Sequence, residues 1–148
     1  PYLRTRVMSA SPEELRLMLL EGALKFARLA TEGMDNKDYE KVYEGGSRCQ
    51  AIVLELINSL DPRVAPDLCD KLTALYSFIY QRMIEGVMQK DASVMRECIK
   101  LLDYERDTWV LLMDQLAREK EEGRSNGGVS SPAAQTPDSE RLPLSVKG

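Results

Sequence analysis

The chain has 148 residues, of which 43% are hydrophobic, carries a net charge of -4 and contains no histidine. A domain of this length can bury a core without metals or disulfides. The acidic balance argues against general nucleic-acid binding, which requires basic residues to neutralise phosphates, and against docking to an anionic membrane surface. Without histidine, the chain cannot form a Ser-His-Asp triad, a Cys-His dyad or the Glu-x-x-His sites of di-iron bundles.

Residues 1–10 precede the first clear helix start, and their apolar side chains are interleaved with arginines. The segment is too short to form a stable helix on its own. Two interpretations remain open. It is either a frayed terminus or a segment that folds back over an apolar groove, with Tyr2 as the plug.

Residues 9–26, S-A-S-P-E-E-L-R-L-M-L-L-E-G-A-L-K-F, contain the clearest helix start in the chain. Ser11 is predicted to be the N-cap, Pro12 suits the first helical position, and Glu14 completes a capping box. The helix is predicted to run to about Gly33. Its apolar side chains recur at helical spacing and predict a core-facing stripe. This stripe is formed by Leu15, Met18, Leu19, Ala23 and Phe26.

A second helix should follow the polar turn at residues 35–38 and end at Asp61, before Pro62. Its adjacent glycines, Gly45 and Gly46, each cost up to about 1 kcal/mol relative to alanine in a helix interior. Close approach of a neighbouring helix would explain Gly46, which lies on the apolar face, and a local kink is the rival explanation.

The third helix is predicted to start at Pro66, and the fourth helix at Asp91, its N-cap. Long amphipathic helices joined by short loops predict an all-α, antiparallel up-down-up-down four-helix bundle at residues 11–122. No segment alternates apolar and polar residues with strand propensity, which disfavours a fold built from β-α-β units. Residues 123–148 contain few large apolar side chains and predict a disordered tail, whereas residues 1–10 form a separate N-terminal segment.

The sequence predicts no catalytic residue, no metal ligand and no cofactor site. The three cysteines, Cys49, Cys69 and Cys98, are widely separated and are interpreted as small buried residues of a reduced cytosolic protein. The paired acids Glu13 and Glu14 suit the positive end of a helix dipole. No stretch is apolar enough to span a membrane and no secretory signal is recognisable, so we expect a cytoplasmic protein that is not an enzyme.

Two segments carry more apolar residues than one bundle face requires. They are A-I-V-L-E-L-I at residues 51–57 and W-V-L-L-M at residues 109–113. Leu111 is predicted to lie on an outer stripe together with Tyr104. Excess apolar surface indicates a partner site or an oligomer contact, and broad burial between neighbouring helices is the alternative for the flanking residues.

Four stretches, in this order along the chain, resemble the FliS family of flagellar export chaperones. They are S-A-S-P-E-E-L-R-L-M-L-L-E-G-A at 9–23, C-Q-A-I-V-L-E-L-I-N-S-L-D at 49–61, L-Y-S-F-I-Y-Q-R-M at 75–83 and L-L-D-Y-E-R-D-T-W at 101–109. The resemblance implies a cytoplasmic helical chaperone that binds the disordered C-terminal segment of flagellin and prevents its polymerisation before export. The double glycine at 45–46 and the tail depart from the family pattern.

The resemblance also implies partners and sites. The partners are the flagellin C-terminal segment and other flagellar export or regulatory proteins, without nucleic acid or membrane insertion. Client helices would bind apolar grooves, and Tyr2 and Val7 would cover part of that surface. The alternative is a bundle whose apolar flanks serve homodimerisation or another adaptor role. The predicted flagellin-binding residues are Ile52, Leu54, Leu56, Leu101, Tyr104, Leu111 and Leu112.

Overall fold

The computed structural model describes residues 2–126, which form α-helices and connecting turns without any strand. This confirms the all-α fold class. The predicted tail at 123–148 lies outside the described residues from 127 onwards. None of the helices within residues 2–126 combines the length and the hydropathy that a membrane crossing requires. The helices are α1 (Tyr2–Ser9), α2 (Pro12–Asp35), α3 (Tyr39–Asn58), α4 (Pro66–Gln89) and α5 (Ala92–Ser125).

The helix starts follow the predicted capping chemistry. The Ser11 hydroxyl oxygen accepts a hydrogen bond from the Glu14 amide at 3.1 Å, and Pro12 occupies the first turn of α2. The Asp91 carboxylate accepts from the Ser93 amide at 3.0 Å at the start of α5. These acceptors satisfy amide groups that have no partner within the helix. Residues 2–9 form the helix α1, which the sequence alone did not predict.

The four long helices form a ring in which α2 and α4 each pack against both α3 and α5. Helices α2 and α5 run in opposite directions, because Asp35 meets Arg96 while Glu13 meets Trp109. The same reversed order holds for α4 with α5 (Tyr76 with Glu105, Arg82 with Glu97) and for α2 with α3 (Glu32 with Lys41, Ala23 with Cys49).

The core face of α2 differs from the predicted one. Of the predicted stripe only Ala23 is buried, and the larger side chains are half-buried at the side of the helix. The reason is that small residues let α2 approach α3 closely, so the alanine ridge faces the core instead. The buried hydrophobic residues of α2 are Leu20, Ala23, Leu24, Ala27, Ala30 and Met34.

Both glycines in the middle of α3 are buried, and α3 is a single helix across them. A Cβ atom at Gly45 would lie 2.6 Å from the Ala30 nitrogen and 2.6 Å from the Phe26 carbonyl oxygen, both on the α2 backbone. A Cβ atom at Gly46 would lie 2.8 Å from a methyl carbon of Val87 on α4. The close approach predicted for Gly46 is confirmed, and Gly45 has the tighter contact.

Candidate functional site

An apolar groove of about 480 Å³ lies between α1, α2 and α3. We call it the α1 groove. Helix α1 borders it on one side, the side face of α2 forms most of its wall, and one residue of α3 reaches into it. The apolar residues that line it are Leu3, Val7, Leu15, Met18, Leu19, Phe26 and Ile52.

The wall of the α1 groove consists of the large α2 residues that the sequence assigned to the core. Leu15 lies one turn before Met18 and Leu19 on the same side of the helix, and all three are only partly buried. A Cβ atom at Gly22 would lie 3.3 Å from Ile52 Cδ1, so the glycine leaves room for the isoleucine to cross from α3. Sequence reasoning missed this wall, although a second apolar stripe on α2 was visible in Leu20 and Leu24.

The rim of the α1 groove is basic. Arg6 and Lys25 line it, the Lys25 ammonium lies 5.4 Å from the centre of the Phe26 ring, and the Arg48 guanidinium also lies 5.4 Å from that centre. Glu21 is an acidic residue of the lining, and its carboxylate lies 4.0 Å from Arg106. The groove therefore presents an apolar floor and a positive edge to a partner.

The two residues predicted as a cover lie differently on α1. Val7 lines the groove, together with Leu3 one turn away, whereas the Tyr2 side chain is 78% exposed. Leu3 was not predicted, and its spacing of four residues from Val7 was the available signal. The role of Tyr2 as a plug stays a prediction.

The predicted flagellin-binding residues fall in several places. Ile52 lines the α1 groove, and Leu54 is partly exposed on α3. Leu56 is fully buried in the core, so its side chain offers no surface to a partner in this conformation. Leu56 continues the buried face of α3, because it follows the fully buried Cys49 and Val53 at helical spacing.

On α5, Tyr104 and Leu111 are each 70% exposed and lie seven residues apart, so they share an outward stripe. Leu101 is half-buried against the core. Leu112 is half-buried and lines a second, smaller pocket. The structure therefore does not bring the predicted residues of α3 and α5 into one site.

The second pocket has a volume of about 160 Å³ and lies between α2, α4 and α5. We call it the Arg16 pocket, because the Arg16 side chain lines it although the residue is only 3% exposed. Arg16 Nη2 donates to the Tyr76 hydroxyl at 2.6 Å, and that hydroxyl donates to Glu105 Oε1 at 2.8 Å. The guanidinium lies 5.4 Å from the Tyr76 ring and 5.3 Å from the Trp109 ring.

The Arg16 charge is therefore buried without a direct ion pair to a carboxylate. Burial raises the pKa of Tyr76 well above its usual value of 10.0. The Arg16 charge opposes this shift in part, and Glu105 reinforces it. The hydroxyl stays protonated and can relay a hydrogen bond from the arginine to the glutamate. Trp109 closes one side of the pocket, where its indole N–H donates to the Glu13 carbonyl at 3.0 Å.

Two of the three cysteines, Cys49 and Cys98, are buried, whereas Cys69 is half-buried. Burial raises the pKa of Cys49 to about 12 and the pKa of Cys98 to about 11, so both thiols stay neutral. The Cys49 thiol donates to the Ala23 carbonyl at 3.1 Å. Within residues 2–126, no cluster of three or more side chains has the ligand types and placement to hold a metal ion.

Comparison with known proteins places these features in a family context. The sequence model of the family described as "Flagellar protein FliS" matches residues 1–116. The Flagellar secretion chaperone FliS of Bacillus subtilis is 30% identical over 129 residues, which cover 87% of this chain and 93% of that protein. The protein of the same name in Escherichia coli is 31% identical over 110 residues, covering 72% and 79%. The Campylobacter jejuni protein is 28% identical over 108 residues, covering 73% and 84%.

Proposed function

The chain belongs to the FliS family, and from that premise we propose that it is a flagellar secretion chaperone for flagellin. In this proposal it binds the C-terminal segment of flagellin in the cytoplasm, prevents premature polymerisation and supports export. The observation that carries the proposal is the α1 groove, an apolar channel on the side of a helical bundle with a basic rim.

The chemistry of the groove suits an amphipathic helix. A client segment that is disordered when free would fold on binding and place its apolar face against Leu15, Met18 and Ile52. Because ordering the client costs free energy, a second contact surface would help binding. The exposed stripe of Tyr104 and Leu111 on α5 offers one.

The basic rim should favour a client whose polar face carries acidic side chains. Arg6 and Lys25 would attract acidic side chains that flank the apolar face of the client. Such complementary charges chiefly raise the association rate and fix the orientation. Binding should therefore weaken as the salt concentration increases.

The test is a calorimetric titration with a peptide of the flagellin C-terminal segment. We expect a complex of about one to one stoichiometry. Ile52→Glu should weaken it at least about tenfold, because a carboxylate in the apolar groove costs more than the 1.4 kcal/mol that corresponds to that factor. Leu111→Glu should also weaken it if the client reaches α5.

Ala51→Glu is the matched control, because it introduces the same charge at an exposed neighbouring position of α3. Circular dichroism should show that all three variants remain folded. No binding to the wild-type chain would contradict the proposed function. An unchanged affinity for Ile52→Glu would contradict the assignment of the groove.

Homodimerisation remains the second candidate function, and the observation that favours it is the exposure of Tyr104 and Leu111 at 70% each. Light scattering across a concentration series distinguishes the two functions. A mass that stays monomeric without the client, together with client binding, supports the chaperone.

A further inference from the structure

Helix α5 extends beyond the bundle that it forms with the other long helices. It has 34 residues, whereas α2 and α4 have 24 each. Tyr76 of α4 meets Glu105 of the antiparallel α5, so the start of α4 at Pro66, ten residues earlier, lies level with position 115. The segment 116–125 therefore extends past the end of α4 by about 15 Å. From position 120 to position 126 every side chain is exposed.

A row of exposed side chains on α5 begins on the bundle and continues onto this extension. We call it the α5 stripe, and it consists of Lys100, Tyr104, Leu111, Arg118 and Glu122. Their spacings of four and seven residues are close to whole turns, so all five lie on one face of the helix. Tyr104 and Leu111 are each 70% exposed, and the three charged side chains are exposed as well.

The charged side chains of the α5 stripe make no ion pair within residues 2–126. The ion pairs of α5 in this part of the chain are made at other positions, which are Arg96, Glu97, Asp103, Arg106 and Asp107. Lys100, Arg118 and Glu122 can therefore pair with another molecule without breaking a contact of the fold. An apolar centre between polar ends is also the usual composition of a protein–protein interface.

The α5 stripe is complementary to itself in the reverse direction. Tyr104 and Arg118 each lie seven residues from Leu111, and Lys100 and Glu122 each lie eleven residues from it. In two copies that meet at Leu111 in antiparallel order, Tyr104 faces the partner's Arg118 and Lys100 faces the partner's Glu122. The first pair suits a cation–π contact and the second a salt bridge, and two-fold symmetry forms each of them twice.

Charge favours the antiparallel order over the parallel one. A parallel pair would place Lys100, Arg118 and Glu122 each against the same residue of the other copy. Three pairs of like charges would then face each other, which disfavours that arrangement.

One flank of the antiparallel pair also brings like charges together, because Asp107 approaches the partner's Asp114. Two cations reduce this repulsion. The Arg106 guanidinium lies 2.9 Å from the Asp107 carboxylate within the same chain, and the partner's Arg118 lies one turn from that flank. The two acidic residues therefore limit the affinity without cancelling the complementarity of the stripe.

We propose that two copies of this chain pair through their α5 stripes in antiparallel order, with Leu111 at the two-fold axis. Each extension then packs along the partner's bundle. The contact over residues 100–122 is about 33 Å long, and a single helix pair lies at the low end of specific interfaces, so the dissociation constant should be on the order of 100 μM. The pairing is a property of the chain without its client and does not rest on the proposed function.

The test is an exchange of charges, measured by sedimentation equilibrium of the full chain between about 10 μM and 1 mM. The mass of the wild-type chain should rise with concentration from 16.7 kDa towards twice that value. Lys100→Glu places acidic side chains opposite each other at both ends of the contact, and Glu122→Lys places basic ones there. Each variant should associate at least about tenfold more weakly, because two attractive pairs become repulsive.

A mixture of the two single variants provides the rescue. Each acidic side chain of one variant again faces a basic side chain of the other, so the mixture should associate about as strongly as the wild-type chain. The double variant Lys100→Glu/Glu122→Lys should also associate, since its two charges have only exchanged places. Rescue in both cases shows that the single variants are folded.

Glu121→Lys is the matched control. It makes the same charge change one position earlier, where the side chain points about 100° away from the α5 stripe, and it should associate like the wild-type chain. A wild-type chain that stays monomeric at about 1 mM overturns the proposal. Single variants that associate as strongly as the wild type, or a mixture that stays monomeric, overturn it as well.

The proposed function fails or stands separately from this pairing. Calorimetric titration of the monomeric variant Glu122→Lys with the flagellin peptide measures client binding without any dimer. If the peptide binds but the wild-type chain never dimerises, only the α5 pairing is wrong. If the chain dimerises but no peptide binds, the pairing stands and the proposed function is wrong.

Discussion

A single added methyl group at Gly45 should cost stability, because this position lies against the backbone of a neighbouring helix. A Cβ atom there would lie 2.6 Å from the Ala30 nitrogen and 2.6 Å from the Phe26 oxygen. Both atoms belong to the backbone of α2. No side-chain rotation can therefore relieve the contact, and Gly45→Ala should force α2 and α3 apart.

The magnitude follows from two opposing effects. Replacement of glycine by alanine in a helix interior normally stabilises by up to about 1 kcal/mol. Overpacking a close contact typically costs about 1–3 kcal/mol and occasionally more. Here the separation also loosens the contacts around Ala27, Ala30 and Cys49, which are fully buried. We expect a net loss of about 2 kcal/mol in the free energy of unfolding, which corresponds to a decrease in Tm of roughly 8 °C.

Two other glycines provide matched controls. Gly46→Ala meets a methyl carbon of Val87 at 2.8 Å, which a side-chain adjustment can relieve, so its loss should be smaller. Gly123→Ala meets nothing within 4 Å and should be neutral or stabilising by up to about 1 kcal/mol. Urea and thermal unfolding followed by circular dichroism measure all three. If Gly45→Ala is as stable as Gly123→Ala, the close approach of α2 and α3 is wrong.

The cysteines support two further predictions. Burial raises the pKa of Cys49 from 9.0 to about 12 and that of Cys98 from 9.0 to about 11, so the folded state holds these protons more tightly than the unfolded chain. Their contribution to the free energy of unfolding should be fully present below pH 9 and be lost as the pH rises from 9.0 to about 12. The free energy of unfolding of Cys49→Ala should therefore decline less steeply over this pH range than that of the wild-type chain. An equal decline would contradict this prediction. In alkylation at neutral pH, the half-buried Cys69 should react first and the buried pair only on unfolding, as measured by mass spectrometry. Simultaneous modification of all three would show that the core opens readily.

Local sequence signals predicted the helices well but could not predict which face of α2 is buried. The caps at Ser11 and Asp91 fix helix starts through hydrogen bonds over a few residues. The orientation of α2, in contrast, depends on what packs against it. α2 carries two apolar stripes, and the one with small residues faces α3 because Gly45 permits the approach. That choice requires knowledge of both helices together.

The Arg16 pocket was beyond sequence reasoning for a related reason. Arginine is almost never fully buried unless it is paired, so its position among apolar residues of α2 favoured an exposed side chain. Its partner Tyr76 lies 60 positions away, and Glu105 follows a further 29 positions along the chain. Each residue alone was unremarkable in the sequence. Only the packing of α2, α4 and α5 brings the three polar groups together.

The two faces of α2 explain how a small bundle can keep an apolar groove without losing its core. Ala27 and Ala30 are fully buried and allow backbone contact with Gly45, so α2 and α3 are held together by dense packing rather than by large side chains. The large residues Met18 and Leu19 are then not required between the two helices and can remain half-exposed in the groove. The residues that pack the core of α2 and the residues that line the α1 groove are therefore different. If the α1 groove binds a client as proposed, substitutions at Met18 and Leu19 should change the client affinity while the alanine ridge preserves the fold.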